Sequence, residues 1–542
     1  MYSIPRFCLL FFGSVAAFLI SHKPGFSQTF GPIEDRHSAL QQNSVSSLEA
    51  ATGVIWTAPG LNAYFENSGE IYVPENADSI FTGRGRAFSL SAEGNRIFAG
   101  LGFTSSAGGQ NTNAAMGYYQ SYDSGNTWNF IPFLLDERPP SDAGCDGNSI
   151  GPPCDIEFQY GGETYIRTRI TVPEQSPPYE VDFSDETLLA VHWASGLLRS
   201  PDNGQTWERI ILPPSFENEL SPQNSYQWFS QNSSGETVNR YDPRFDNNLL
   251  GFGLLIDNKD RVWVGTAAGL NISENALTAP PDKIEWRRVS FQPGVDDGLL
   301  ANWIIKIREQ RDAGRIWMTN WRADPENRDD FGLVYTDDGG ETFSHFLEGI
   351  RVNDVGFFGK SIFAAADNGL YITHDDGDSW SLPEQIVSPN SFIKKDARYF
   401  AVASTNEYLW VGTDDGIAGT KDSGETWRIL RVDLPLSGGN IYQPNAPNVE
   451  SYAYPNPFSP TLHSSVRIKF GMQNPGPATI RIFDFGMNRV QTLEVAAVYE
   501  AGSYETTWDG TDESGRTTAA GTYFYSIETN EGFINGKIIL LD

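Results

Sequence analysis

Five aspartates recur in nearly the same eight-residue context: Asp123 in SYDSGNTW, Asp202 in SPDNGQTW, Asp338 in TDDGGETF, Asp375 in THDDGDSW and Asp422 in TKDSGETW. A carboxylate can serve as general acid, general base, nucleophile or metal ligand, but glycosidic hydrolysis needs two of them within roughly 5–10 Å. One aspartate per repeat predicts the opposite arrangement, each serving its own turn. Here the aspartate would accept hydrogen bonds from turn amides, and the glycine two residues later would take positive φ. The closing aromatic (Trp128, Trp207, Phe343, Trp380, Trp427) would return into a sheet and bury a large area. The expectation is shape rather than catalysis.

Other chemistry-bearing residues collect between the repeats. SYQWFSQN brings Tyr226, Trp228 and Phe229 together, and RYDPRFDNN supplies Arg240, Tyr241, Asp242, Arg244 and Asp246. NWRADPENRDD supplies Trp321, Arg322, Asp324 and Asp330, and YIRTRI supplies Tyr165, Arg167 and Arg169, while His192 and Trp193 close a strand. Aromatic platforms beside planar charged groups suit a sugar or peptide surface. The competing reading is a satellite core beneath long loops, with its charges paired to one another. Asp242, Asp246 and Asp324 are the carboxylates a hydrolase would draw on, although nothing in the sequence pairs them.

Metal chemistry has little support. The sequence contains no phosphate-binding glycine loop, H-E-x-x-H, nucleophile elbow or Cys/His ligand spacing. His37, His192, His345, His374 and His463 are scattered. DGTDESG from Asp509 has the oxygen density of a calcium loop without its spacing, so it reads as an Asp/Gly turn, with calcium as the alternative. Cys145 and Cys154 in CDGNSIGPPC read as one disulfide of an exported chain, and a two-ligand metal site ranks well below that.

The elements that carry these residues are short strands. A Gly-led strand precedes each octapeptide (GYYQS at Gly117, GLLRS at Gly196, GLVYT at Gly332, GLYIT at Gly369, GIAGT at Gly416), and GLNIS at Gly269 is a sixth copy without one. Ahead of each lies a second apolar strand, such as RIFAG at Arg96 or RVWVGT at Arg261, and before that a shorter one, such as AFSLSA at Ala87 or WIIKI at Trp303. Four short strands per unit with little helical periodicity predict an all-β fold, a β-propeller. Six units are legible, and the segment with GVIWTA at Gly53 and EIYVPE at Glu70 completes a seventh blade or closes the ring. Seven blades is the expectation, with six and eight as alternatives. Extra length falls between second and third strands (104–116, 322–331) and between blades (134–187, 211–250), connections that open onto one face opposite the octapeptides. A further insertion at 275–285 replaces the missing octapeptide. Insertions on one face commonly mark a binding face.

The octapeptide resembles the Asp-box, S/T-x-D-x-G-x-T-W, of sialidases, xyloglucan-cleaving propellers and many non-enzymatic propellers. The resemblance implies the propeller fold; the chain lacks the R-I-P element that sialidases carry before their first Asp-box.

The ends suggest export. Arg6, the apolar run Cys8–Ile20 and the small residues Gly25 and Ser27 read as a signal peptide over 1–27. No later stretch is apolar enough to span a membrane as a helix. With 38 basic against 69 acidic residues, the net charge of −31 opposes binding to nucleic acid or anionic lipid. The propeller is expected over 28–435, then a Pro/Asn/Gly linker over 436–451 and a small Ig-like β-sandwich over 452–542. The last segment is similar to type IX secretion sorting domains and to the Ig-like domain of flagellar hook-capping proteins. The matching residues are Tyr454-Pro455-Asn456-Pro457-Phe458, Ile482-Phe483-Asp484, Trp508-Asp509-Gly510, Ser514-Gly515, Gly521-Thr522-Tyr523 and Lys537. That resemblance implies the type IX machinery as a partner and a secreted or cell-surface location reached through the periplasm. The functional expectation is a binder of an extracellular polysaccharide or protein, and the alternative is a glycoside hydrolase.

Overall fold

A computed structural model describes residues 26–28, 36–37, 40, 42–72, 85–106, 109–146, 148–323, 328–389, 391–432, 436, 449–463 and 465–541. Nearly all of the expected signal peptide, most of the linker and Asp324 lie outside the described residues.

The second strand of each repeat is apolar on both faces because a neighbouring blade covers each side. Val262–Thr266, Ser361–Ala366 and Leu409–Thr413 are buried at every position. Seven antiparallel sheets result, with innermost strands Ser47–Ala51, Gly85–Glu93, Pro178–Ser184, Gly251–Ile256, Trp303–Gln310, Val352–Phe358 and Tyr399–Ser404. They are blades one to seven in chain order. The inner three or four strands of each sheet run outward in sequence (three in blade six), and blades one, two and four add an outermost strand from earlier in the chain, Arg36–His37, Phe26–Gln28 and Glu219–Leu220. The meander puts the 1–2 turns and the octapeptides on one face. The 2–3 connections and the links between blades lie on the other.

The octapeptide geometry repeats. In blade two, Asp123 Oδ1 accepts from the Thr127 amide at 2.8 Å and Oδ2 from the Thr127 hydroxyl at 2.7 Å, while Ser121 Oγ accepts from the Gly125 amide at 2.8 Å. Asp202, Asp338, Asp375 and Asp422 make the same contacts with Thr206, Thr342, Ser379 and Thr426. The Ser379 hydroxyl is the chief reason the Asp375 carboxyl lies down at about 2. Gly125 has φ +83°, and a Cβ there would stand 2.4 Å from Trp56. Trp128 packs edge-on against Trp56 of the preceding blade at 5.6 Å, and Trp207 stacks on Tyr118 at 4.7 Å.

Among the described residues, blades one and seven share no strand, so other contacts close the ring. Glu66 of blade one accepts from Trp410 Nε1 at 2.7 Å and from the Thr405 hydroxyl, and Tyr64 meets the Trp410 ring at 5.0 Å. Beyond the propeller, a three-stranded and a four-stranded antiparallel sheet pack as a sandwich around Ile468, Phe470, Ile480, Ile482, Trp508 and Ile527. A buried charge network joins it to blade seven. Arg431 and Asp415 belong to the blade, Arg467 and Glu505 to the sandwich, and each arginine pairs with both carboxylates.

Candidate ligand-binding face

Six innermost strands carry a β-bulge between their second and fourth residues: Phe88, Tyr179, Phe252, Ile305, Asn353 and Phe400 are the extra residues. A bulge interrupts the in–out alternation and re-aims one side chain. Since these strands start on the insertion-bearing face, the bulged residues gather at that mouth of the central channel. Four of the six are aromatic. Phe88 meets Tyr179 at 6.4 Å, Tyr179 meets Phe252 at 5.9 Å, and Phe252 meets Trp193 at 4.8 Å and Trp303 at 5.3 Å. This continuous row crosses blades two to five, its rings half-buried and Tyr179 36% exposed. Trp321 pairs with Trp303 in register and lies 3.7 Å beneath the Arg351 guanidinium. Arg351, Arg398 and Asn353 converge on Asp367, which ends the row with a polar edge. Burial raises the Asp367 carboxyl, but those three partners together hold it below the usual range.

Below the mouth, cross-channel ion pairs close the axis. Lys306 of blade five reaches Glu180 of blade three, past blade four, whose residue at this level is Gly253. Arg308 of blade five binds Asp354 of blade six through Nε and Nη2, both at 3.0 Å, and also Glu49 of blade one. A cavity of about 640 Å³ lies on the octapeptide side of these pairs, lined among others by Asp182, Gly94 and Asn406. Burial pushes the Asp182 carboxyl up to about 6, against the hydrogen bonds it accepts from the Ile256 and Phe183 amides and the Ser91 hydroxyl.

Asp182 therefore binds its proton more tightly in the folded chain than in the unfolded one. Its contribution to stability is full below about pH 4 and is lost as pH rises through about 6. Relative to Asp182→Asn, the wild-type protein is expected to lose stability between pH 4 and 6, at up to about 1.4 kcal/mol per pH unit. Urea unfolding of both proteins at several pH values measures the difference; parallel profiles would contradict it.

The structure separates the residues singled out from the sequence. Tyr226, Trp228 and Tyr241 are not platforms but core: they are at most 7% exposed and pack with Tyr160, Tyr165 and Phe158 between the two long blade connections. Hairpins at Ile156–Tyr160/Glu163–Arg167 and Phe229–Gln231/Thr237–Asn239 build this layer. Phe229 is 48% exposed and lies 5.3 Å from Phe216. His192 is buried and bonded to the Tyr118 hydroxyl at 2.9 Å. Burial, with the Arg209 charge nearby, lowers its imidazole to about 3. Trp193 and Trp321 are at the mouth, and exposed Arg322 lies over Phe331 at 5.2 Å. Asp242 is held by Arg240 and Arg244, and Asp246 accepts from the Asn248 and Ser215 amides, so both carboxylates serve local structure. Cys145 and Cys154 form a disulfide. In DGTDESG, Asp509 accepts from the Thr511 amide and hydroxyl, and Asp512 from the Ser514 and Arg516 amides, as in an Asp/Gly turn. The sequence reading missed Phe88, Tyr179, Phe252, Trp303 and Phe400. The signal is an aromatic residue within the first four positions of the innermost strand, present in blades two to five and in blade seven but replaced by Asn353 in blade six.

The fold defines a seven-bladed β-propeller followed by an Ig-like sandwich. A family profile described as the FlgD Ig-like domain matches residues 459–532. Among curated proteins no sequence match was found. Solved structures with a similar fold include PorZ, an essential surface component of the type-IX secretion system of Porphyromonas gingivalis (13% identity, TM-score 0.33, covering 92% of this chain and 75% of that one). YCF48 from Cyanidioschyzon merolae aligns at 12% identity and TM-score 0.36, covering 70% and 92%. BamB from Moraxella catarrhalis aligns at 10% and 0.31, covering 69% and 84%. None of these likenesses bears on ligand or activity. Among the described residues no helix is long and apolar enough to cross a membrane.

Proposed function

We propose that this chain is an exported binding protein that holds an extracellular polysaccharide against the aromatic row at its channel mouth. The observation that carries the reading is the unbroken series Phe88–Tyr179–Phe252–Trp193–Trp303. Half-exposed rings bordered by a few fixed polar groups are the usual composition of a ligand site. Among the hydrolase candidates, Asp242 and Asp246 are tied to arginines and amides inside the insertion layer, which favours binding over hydrolysis. The protein is expected to retain one polymer from a polysaccharide panel while releasing no new reducing ends. Tyr179→Ala and Trp303→Ala would each weaken retention about tenfold, the value of one well-placed aromatic contact. Retention that both variants preserve, or reducing ends released by the wild type, would overturn the reading. Under the same proposal the sandwich directs delivery across the outer membrane by the type IX machinery. Deleting 452–542 would then leave the chain in the periplasm.

A further inference from the structure

A second cavity, of about 370 Å³, opens in the insertion layer and shares no lining residue with the aromatic row. Arg169, Arg240, Arg244, Gln231 and Phe245 line it together with the Cys145–Cys154 disulfide. Three arginines meeting in one pocket are unexpected in a chain of net charge −31. Their charges are not all matched. Arg240 faces Asp155 at 3.6 Å and Asp242 at 3.4 Å, and Arg244 binds the same Asp242 through Nε at 2.8 Å. Arg169 donates only to backbone carbonyls, those of Pro153 at 3.1 Å and Glu137 at 2.8 Å, and forms no ion pair among the described residues. The pocket wall therefore carries three guanidinium groups beside the carboxylates of Asp155 and Asp146, with Asp242 behind Arg240 and Arg244, and of the three arginines only Arg169 has no carboxylate partner. Asp146 is at the exposed rim, its carboxylate turned to the Ser149 hydroxyl and the Asn148 amide. Arg240 Nε is buried and has no acceptor.

We infer that this pocket binds the carboxylate of an acidic sugar residue within a polysaccharide. A single arginine whose partners are carbonyls, with carboxylates nearby, suits a singly charged carboxylate better than a phosphate dianion, which the acidic surface would also repel. Guanidinium groups recognise a planar carboxylate through paired N–H donors. Phe245 is 45% exposed with Arg244 5.7 Å from its ring, which offers the sugar an apolar face beside the charge. Hydroxyl and amide groups of Thr168, Thr171 and Asn232 also border the cavity and match a polyhydroxylated ligand. The pocket goes beyond the aromatic mouth, and neither site requires the other.

The test titrates the full chain calorimetrically with short oligogalacturonides, with neutral galactose oligomers of the same length and with a glutamate-rich peptide. Oligogalacturonides are expected to bind at least tenfold more tightly than the neutral oligomers, the scale of one charge-assisted contact. Arg169→Gln should abolish that preference, whereas Arg169→Lys, which keeps the charge but also loses contacts with the Pro153 and Glu137 carbonyls, should retain part of it. A fall in melting temperature shared by both variants would not account for the difference. Arg244→Gln should reduce the preference as well, whereas Trp303→Ala at the mouth should leave it intact. Absence of oligogalacturonide binding, equal affinity for neutral oligomers, or a preference that survives both Arg169→Gln and Arg244→Gln would overturn the assignment. Peptide binding as tight as that of the uronates would show a site for protein carboxylates instead. Loss of the preference in Trp303→Ala would show that the uronates sit at the mouth, so failure of the pocket is distinguishable from failure of the proposed mouth.

Discussion

Arg467→Ala is expected to destabilise the junction between sandwich and propeller by about 3–5 kcal/mol, the usual cost of removing one partner from a buried ion pair. Asp415, Arg431, Arg467 and Glu505 have side chains only 5–9% exposed. Arg431 Nη2 contacts Asp415 at 2.5 Å and its Nη1 contacts Glu505 at 3.0 Å, while Arg467 Nη1 contacts Glu505 at 2.8 Å. The Tyr454 hydroxyl donates to Glu505 at 2.6 Å, and Arg467 also donates to the Phe392 carbonyl at 3.0 Å with its guanidinium 4.2 Å from that ring. Two arginines and two carboxylates thus pair across the junction, and the buried Lys469 ammonium also acts on Glu505. Losing Arg467 leaves two buried carboxylates sharing one arginine. Calorimetry should show one cooperative transition for the wild type. In Arg467→Ala it should show an early, separate transition of the sandwich. The double variant Asp415→Leu/Arg467→Met, which removes charge of both signs, should recover most of the loss. A single variant indistinguishable from wild type would mean that water already screens the network.

The second large effect is at the channel axis. Arg308→Ala is expected to cost about 3–5 kcal/mol, because Asp354 is 1% exposed and would keep only the Val355 and Val402 amides as partners. Burial opposes the charge of Arg308, but Asp354 and Glu49 hold its guanidinium well above its ordinary range. One side chain thereby ties blades five, six and one. Arg308→Lys should recover only part of the loss, since an ammonium cannot repeat the two-point contact with Asp354. The midpoint of urea unfolding reports both. A loss under about 1 kcal/mol for Arg308→Ala would place this group in the solvent-screened class.

Much of the fold was legible because its determinants are local. Asp123, Ser121, Gly125 and Thr127 complete their hydrogen bonds within seven consecutive residues, so the octapeptide declares its own turn wherever the chain carries it. The apolar second strands show their burial directly, and the strand composition of the N-terminal segment points to a further blade or a closing segment, which the structure shows to be a blade of its own. The site was legible only in part. The insertion-bearing face follows from meander topology and repeat spacing, and Trp193 and Trp321 do reach the mouth. Trp228 and Tyr241 have the same composition signal as Trp193, yet they fill the interior of a layer formed by two connections distant in sequence. No local pattern distinguishes an aromatic covered by a remote hairpin from one left open.

The sequence alone therefore determined what lies within a few residues' reach: the turns, the strand pattern, the succession of blade-like units, the disulfide pairing of the two loop cysteines and the sandwich signature near the C-terminus. Tertiary structure decided everything that depends on which segments meet. Lys306 and Glu180 are 126 positions apart, and Arg308 and Glu49 are 259 apart, so closure of the channel cannot be read along the chain. The aromatic row was hidden for a related reason. A bulge is a mismatch between two strands, not a property of either, and only once the strands pair does it turn Phe88, Tyr179 and Phe252 toward a common mouth.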